Sequence, residues 1–192
     1  ATYGVTTYVL SRGPSSKWCN QPYTLPGKGM FDLGMKVKFS DITDGSSNTM
    51  GIGEGATGKA WKVCTVQGSE GPAATDAQGN EVQAKQHWLV PQPNSTSYQA
   101  QGLSPRTSIF ASTADYLNKN PVTQSIIDDS GFAGTAGGTV NDGDATSNFR
   151  SNHPGGSNFA MGDGSVQFLA NPSIDVYRAI STIQGREVFE LD

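Results

Sequence analysis

The most regular alternation of apolar and polar positions lies near the carboxy terminus, in residues 149–169, FRSNHPGGSNFAMGDGSVQFL. Ser157, Phe159 and Met161 alternate with smaller or polar neighbours, a Gly-Asp-Gly-Ser run interrupts, and Val166 and Phe168 then resume the alternation. Period two on both sides of an Asp-Gly pair predicts a two-stranded ribbon with one buried face. Asp163 and Gly164 tolerate the positive φ values that a type I′ turn needs, so they are expected at its two central positions. The pattern then changes period. In NPSIDVYRAISTIQG, Ser173 is the expected cap and Asp175 complements the amino-terminal dipole. Val176, Ile180 and Ile183 recur at helical spacing, and Gly185 is the stop, which predicts an amphipathic helix.

Upstream the signals are shorter. Tyr3, Val5, Thr7 and Val9 alternate in a first strand, and Met35, Val37 and Phe39 alternate with lysines in a second. Ser40 is expected to cap one helical turn through Asp41, Ile42 and Thr43, with Gly45 ending it in a left-handed conformation before a strand from Asn48 to Gly53. Residues 58–66 read as a strand with Trp61 and Val63 on one side and Cys64 on the other. Residues 86–93 read as an edge strand, because Pro91 and Pro93 cannot donate to a central ladder. Residues 111–121 predict a short helix capped at Ser112 or Thr113 and stopped before Pro121. REVFEL at the end reads as a short strand or extended tail, and no solenoid or propeller repeat is present. The expectation is one α+β domain over residues 1–192, dominated by antiparallel strands, with a carboxy-terminal helix on one face. Residues 67–148 form a loop-rich excursion, and residues 149–192 form the hairpin and helix.

Composition narrows the function classes. Among 192 residues, 24 glycines and ten prolines against 35% apolar residues place much of the chain in loops and short strands and exclude an all-helical fold. A net charge of −4 without any Lys/Arg cluster excludes nucleic acid as an expected partner. No apolar run in this sequence approaches the roughly 20 residues that span a bilayer. Cys19 and Cys64 are the only cysteines, too few for a zinc site of their own. They are either one disulfide or two separate buried thiols.

His153 precedes Asp163-Gly164 in the hairpin segment, and such a histidine can be a ligand, a general base or a structural donor. No Gly-x-Ser-x-Gly elbow is present, and Ser147, Ser151 and Ser157 sit in a Gly/Pro-rich stretch without a distinctive partner. His153 is therefore expected to pin the loop before the hairpin, by bonding backbone carbonyls or the Asp163 carboxylate. Asp163 is expected to accept turn N–H groups. No residue is assigned a catalytic role, and the chain is not expected to be an enzyme. Asp128, Asp129, Asn141, Asp142 and Asp144 gather oxygen donors in a glycine-rich loop, which makes calcium the one candidate cofactor, although the spacing is not that of an EF-hand. Asp41, Asp44 and Glu54 are a weaker calcium set whose ordinary task is capping and turn formation around Gly45. Trp18, Tyr23, Trp61, Trp88 and Tyr98 offer aromatic planes for a polysaccharide, though core packing explains most aromatics in a β-rich domain.

Two segments carry a resemblance. SDITDGSSNTMGIGE (residues 40–54) and NFRSNHPGGSNFAMGDGSVQFLANPSIDVYRAISTIQGREV (residues 148–188) resemble signature blocks of the pseudopilin-like proteins that are expanded in planctomycetes and their relatives, with their His-x9-Asp-Gly motif. The resemblance implies a pilin-head-like β-rich domain, with a basic leader and a long apolar anchor helix preceding Ala1. It implies an extracytoplasmic place at a bacterial cell surface or in the periplasm, and self-association or association with other pilin-like subunits in a fibre or secretion apparatus. It supplies no catalytic residue. Export, so implied, favours the bridge between Cys19 and Cys64, and the calcium-binding heads of some secretion pseudopilins keep calcium in view. The competing expectation is a surface polysaccharide- or calcium-binding module without a fibre role.

Overall fold

The computed structural model describes residues 6–14, 28–31, 36–63, 72–73, 75, 78–84, 86, 109–122 and 147–185. Six strands make one mixed sheet: β1 (Tyr8–Ser11), β2 (Met50–Glu54), β3 (Phe110–Ser112), β4 (Ser147–Asn148), β5 (Ser157–Met161) and β6 (Val166–Leu169), in the order β4-β3-β1-β2-β5-β6. The pairs β1–β2, β2–β5 and β5–β6 are antiparallel, whereas β1–β3 and β3–β4 are parallel. Among the described residues the fold is thus β-rich with a single short α-helix, α1 (Ile174–Ala179), and its sheet is mixed where a mainly antiparallel one was expected. Side-chain period reports that a segment is a strand and which face is buried. It does not report which neighbour the strand selects or in which direction.

The hairpin forms where the alternation places it, but its turn differs from the expected one. Only Gly164 takes a positive φ, at 86°, and Asp163 does not. The Gly164 N–H bonds back to Met161 O (3.0 Å), and Met161 N–H bonds to Ser165 O (2.8 Å). This is a three-residue loop, a type I turn followed by a left-handed glycine in a bulge. A two-residue I′ turn would set Met161 opposite Val166; the observed register sets Ala160 opposite Val166 and Phe159 opposite Gln167. One residue of slip exchanges the faces of a strand. Phe159 and Met161 are buried as expected, while Val166 and Phe168, expected on the buried face, are 70% and 50% exposed.

The buried face of the sheet carries Val9, Met50, Ala111, Phe149, Phe159 and Met161, closed by Tyr177 of α1. Phe149, Phe159 and Tyr177 meet edge to face, with ring centroids 5.2 to 6.3 Å apart. Gly53 lies opposite Phe159 in the ladder, and a Cβ there would stand 2.5 Å from both the Phe149 and the Phe159 ring. The trio fits because that position has no side chain. A second cluster joins Ala56, Trp61, Val63, Ala84 and Val122.

Several local expectations yield to tertiary partners. Ser173 caps α1 as expected, its hydroxyl accepting from Val176 N–H, but the helix stops at Ala179 instead of running on to Gly185. The Ser181 and Thr182 hydroxyls bond back to Arg178 O and Ala179 O, and the Ile180 carbonyl is taken by Met50 N–H (2.7 Å). Such side-chain competition loosens a helix terminus. The helix expected over 111–121 is absent, since Phe110–Ser112 joins the sheet as β3 and the Thr113 hydroxyl pairs with that of Ser181 (2.7 Å). Residues 36–38 are not a strand, and the helical turn is a 3-10 turn over Phe39–Asp41 with Lys38, not Ser40, at its cap; Gly45 does take a left-handed φ of 93°. Trp61 and Val63 share the second cluster as predicted, although Lys62 and Val63 make isolated bridges instead of a full strand. Among the described residues no helix is long and apolar enough to cross a membrane.

Candidate functional site

The two signature blocks meet at the end of β2. There the chain parts from β5: Gly55 bridges in parallel to Arg150, with Arg150 N–H donating to Glu54 O (3.0 Å) and Ala56 N–H to Arg150 O (2.8 Å). Glu54 sits in the fork so opened, its side chain 15% exposed. Its Oε2 accepts the Ser157 hydroxyl (3.0 Å) and the Asn158 N–H (3.1 Å), and its Oε1 lies 3.2 Å from His153 Nε2. The Ser151 hydroxyl also bonds to this carboxylate, and the same hydroxyl oxygen accepts the His153 N–H (3.1 Å). Partial burial works to raise the Glu54 carboxyl, yet Ser151, the Asn158 N–H, Ser157 and the nearby His153 together hold it below its ordinary value.

His153 therefore pins the loop before the hairpin through Glu54, and the Asp163 carboxylate that was its alternative partner is occupied elsewhere. Asp163 Oδ1 accepts the Ser165 hydroxyl (2.7 Å) and N–H (2.9 Å), which hold that carboxyl below its usual range. The serine hydroxyls near His153 point at Glu54 and not at the imidazole. A nucleophile would need its hydroxyl on the ring, and these two hydroxyls are on the carboxylate instead. Beside His153, Asn152 Oδ1 accepts the Trp61 indole N–H (2.9 Å), so adjacent residues tie the loop to the fork and to the second cluster.

The other signature residues close the opposite end of the same strand. Asp44 Oδ2 accepts the Gly185 N–H (2.7 Å) and the Thr182 hydroxyl (3.1 Å). Carbonyls that follow Gly45 receive the hairpin turn: Ser46 O takes the Asp163 N–H (3.1 Å), Ser47 O the Gln167 amide (3.2 Å) and Thr49 O the Gly162 N–H (2.8 Å). Asp41 Oδ2 accepts the Lys38 N–H (2.9 Å), a capping contact. Among the described residues no three His, Cys, Asp or Glu side chains converge as a metal site, so Asp41, Asp44 and Glu54 do not form a calcium set. Asp128, Asp129, Asn141, Asp142 and Asp144, the pair Cys19 and Cys64, and Trp18, Tyr23, Trp88 and Tyr98 lie outside the described residues. Trp61 is buried at 8% exposure and offers no plane to a polysaccharide.

Arg150 was not singled out in the sequence, yet its side chain is fully buried. Its Nε donates to Ala56 O (2.6 Å), and one terminal nitrogen donates to the Ser147 hydroxyl (2.6 Å) and Asn148 O (3.1 Å). Burial pushes the guanidinium down to about 9, still charged at neutral pH. It fastens the segment carrying Phe149, just after β4, to the chain beyond the fork. The only sequence signal was an arginine beside the motif histidine.

Glu54→Gln is expected to remove about 1–2 kcal/mol of stability at neutral pH, because an amide nitrogen replaces one of two acceptor oxygens facing donors. A carboxyl held lower in the folded state stabilises above its unfolded pKa and loses that contribution as the pH falls through its folded one. The gap between wild type and variant in urea unfolding should therefore close as the pH falls below about 4.5, the ordinary value for Glu54.

Fold and fork together define a β-rich domain in which two distant sequence blocks lock each other through charged and hydroxyl side chains. The chain belongs to the family described as "Protein of unknown function (DUF1559)", whose profile matches residues 4–176. No curated protein and no solved structure matches it.

Proposed function

We propose that this chain is the extracytoplasmic head of a pseudopilin-like subunit, a structural and interaction protein of a surface fibre or secretion apparatus at the bacterial cell surface or in the periplasm. One observation carries the reading. Asp44, Glu54, His153 and Asp163, the side chains of the two signature blocks best suited to chemistry, are engaged with backbone N–H groups, hydroxyls and one another. Groups so engaged hold a shape, and a head that bears load or docks neighbours needs a shape more than a reactive group. In this reading the sheet is the pilin-head-like layer, and residues 173–185 are its amphipathic carboxy-terminal segment, of which α1 is the helical part. The domain has no catalytic role, and its partners are copies of itself or other pilin-like subunits.

The test is to tag the native gene and locate the product by immunogold electron microscopy and by protease accessibility in intact cells. Label on external filaments or at envelope complexes supports the reading. A protein confined to the cytoplasm overturns it.

A further inference from the structure

We infer that the outer edge of β6, which no described strand pairs, is a self-complementary interface that joins two copies of this chain into one continuous sheet. This goes beyond the fibre reading and rests on it only for its biological setting. The sheet has two edges of unlike character. At one, the β4 residues Ser147 and Asn148 are buried, at 0% and 1% exposure. At the other, every residue of β6 is open or half-open to solvent. After the Met161 to Ser165 bond, ladder alternation turns the N–H and C=O groups of Gln167 and Leu169 toward β5 and those of Val166 and Phe168 outward. Natural edge strands are blunted by shortness, lysine, proline, inward-pointing charge or a bulge within the strand. VQFL is short, at four residues, but carries none of the other devices, and its two outward-bonding residues are apolar and exposed.

The occupant that this edge fits is itself. An antiparallel pairing centred on Gln167 sets Val166 against the partner's Phe168 and Phe168 against the partner's Val166, an aromatic to β-branched pair of the kind that stabilises ladders. In the same register Ser165 faces the partner's Leu169, and VQFL carries no charge, so no charge meets its like along the strand. On that face the row Leu10, Ile52, Ala160 and Val166 runs across four strands, and Ile52 is 37% exposed, so the apolar surface continues inward from the edge. A two-fold pairing of this sort closes on itself, since the β4 edge is covered, and yields a dimer instead of an open polymer.

The experiment uses the 192-residue chain. Sedimentation across a concentration series should show a species of twice the monomer mass, and Val166→Lys with Phe168→Lys should halve it. Both positions are exposed, so a cooperative thermal transition should remain and verify the fold, its midpoint lowered only by the stabilisation that dimerisation supplies. A photo-crosslinking residue at position 167 should then join residue 167 to the β6 peptide of a second copy. A monomer at every concentration, a dimer that survives the two lysines, or a crosslink to any other segment or protein overturns the proposal. None of these outcomes touches the cellular location on which the fibre reading stands.

Discussion

Replacing Phe159 by Ala will lower the unfolding free energy by about 3–5 kcal/mol, the range for removing a fully buried aromatic ring. The ring sits at 0% exposure between Phe149 and Tyr177, and its ladder partner Gly53 has no side chain with which to fill the space left behind. The cavity cannot collapse from that side, which places the loss toward the upper end of the range. Chemical denaturation should report a lower midpoint at unchanged slope, as for a loss of native-state stability without a change in the unfolded chain. Phe159→Leu, which retains most of the buried apolar surface, should lose much less. Equal losses for the two variants would show that edge-to-face geometry matters more than volume at this site.

Arg150→Ala should cost at least about 3 kcal/mol, since it vacates a buried volume and removes the side chain's hydrogen bonds to the Ala56 and Asn148 carbonyls and the Ser147 hydroxyl. Arg150→Lys tests the geometry. An ammonium keeps the charge but lacks the planar fork that reaches acceptors on two segments at once, so it should recover only part of the loss. The readout is again the denaturation midpoint. Full recovery by lysine would mean that charge, and not the two-sided bonding, holds the segment carrying Phe149 to the chain beyond the fork.

Strand period and the helix cap are legible locally, the turn type and the Ser40 cap are not, and the remaining divergences lie where a distant partner decides. Ser157, Phe159 and Met161 announce their buried face because period two needs no partner to be read. Ser173 announces its cap for the same reason. The parallel pairs of β3 are not announced, since Ala111 and Ser112 read as the start of a helix over 111–121 until β1 presents an edge beside them. The Glu54 to His153 contact is illegible in the same way. Each residue stands in a recognisable block, but only the parting of β2 from β5 and the bridge from Gly55 to Arg150 bring them together. The length of α1 is set by Ser181, Thr182 and Met50, whose bonds outcompete continuation of a period that the apolar residues alone would support.

The three-residue turn of the hairpin has a consequence for how this surface can change over generations. In most turns, insertion or loss of a residue is among the mildest alterations a protein can suffer. Here the parity of the loop decides whether Val166 and Phe168 face outward or inward, so a single codon lost between Met161 and Val166 would invert the polarity of a whole strand. A lineage could hide or display a sticky edge without altering one side chain on it, which makes the length of this loop, and not its composition, the heritable setting.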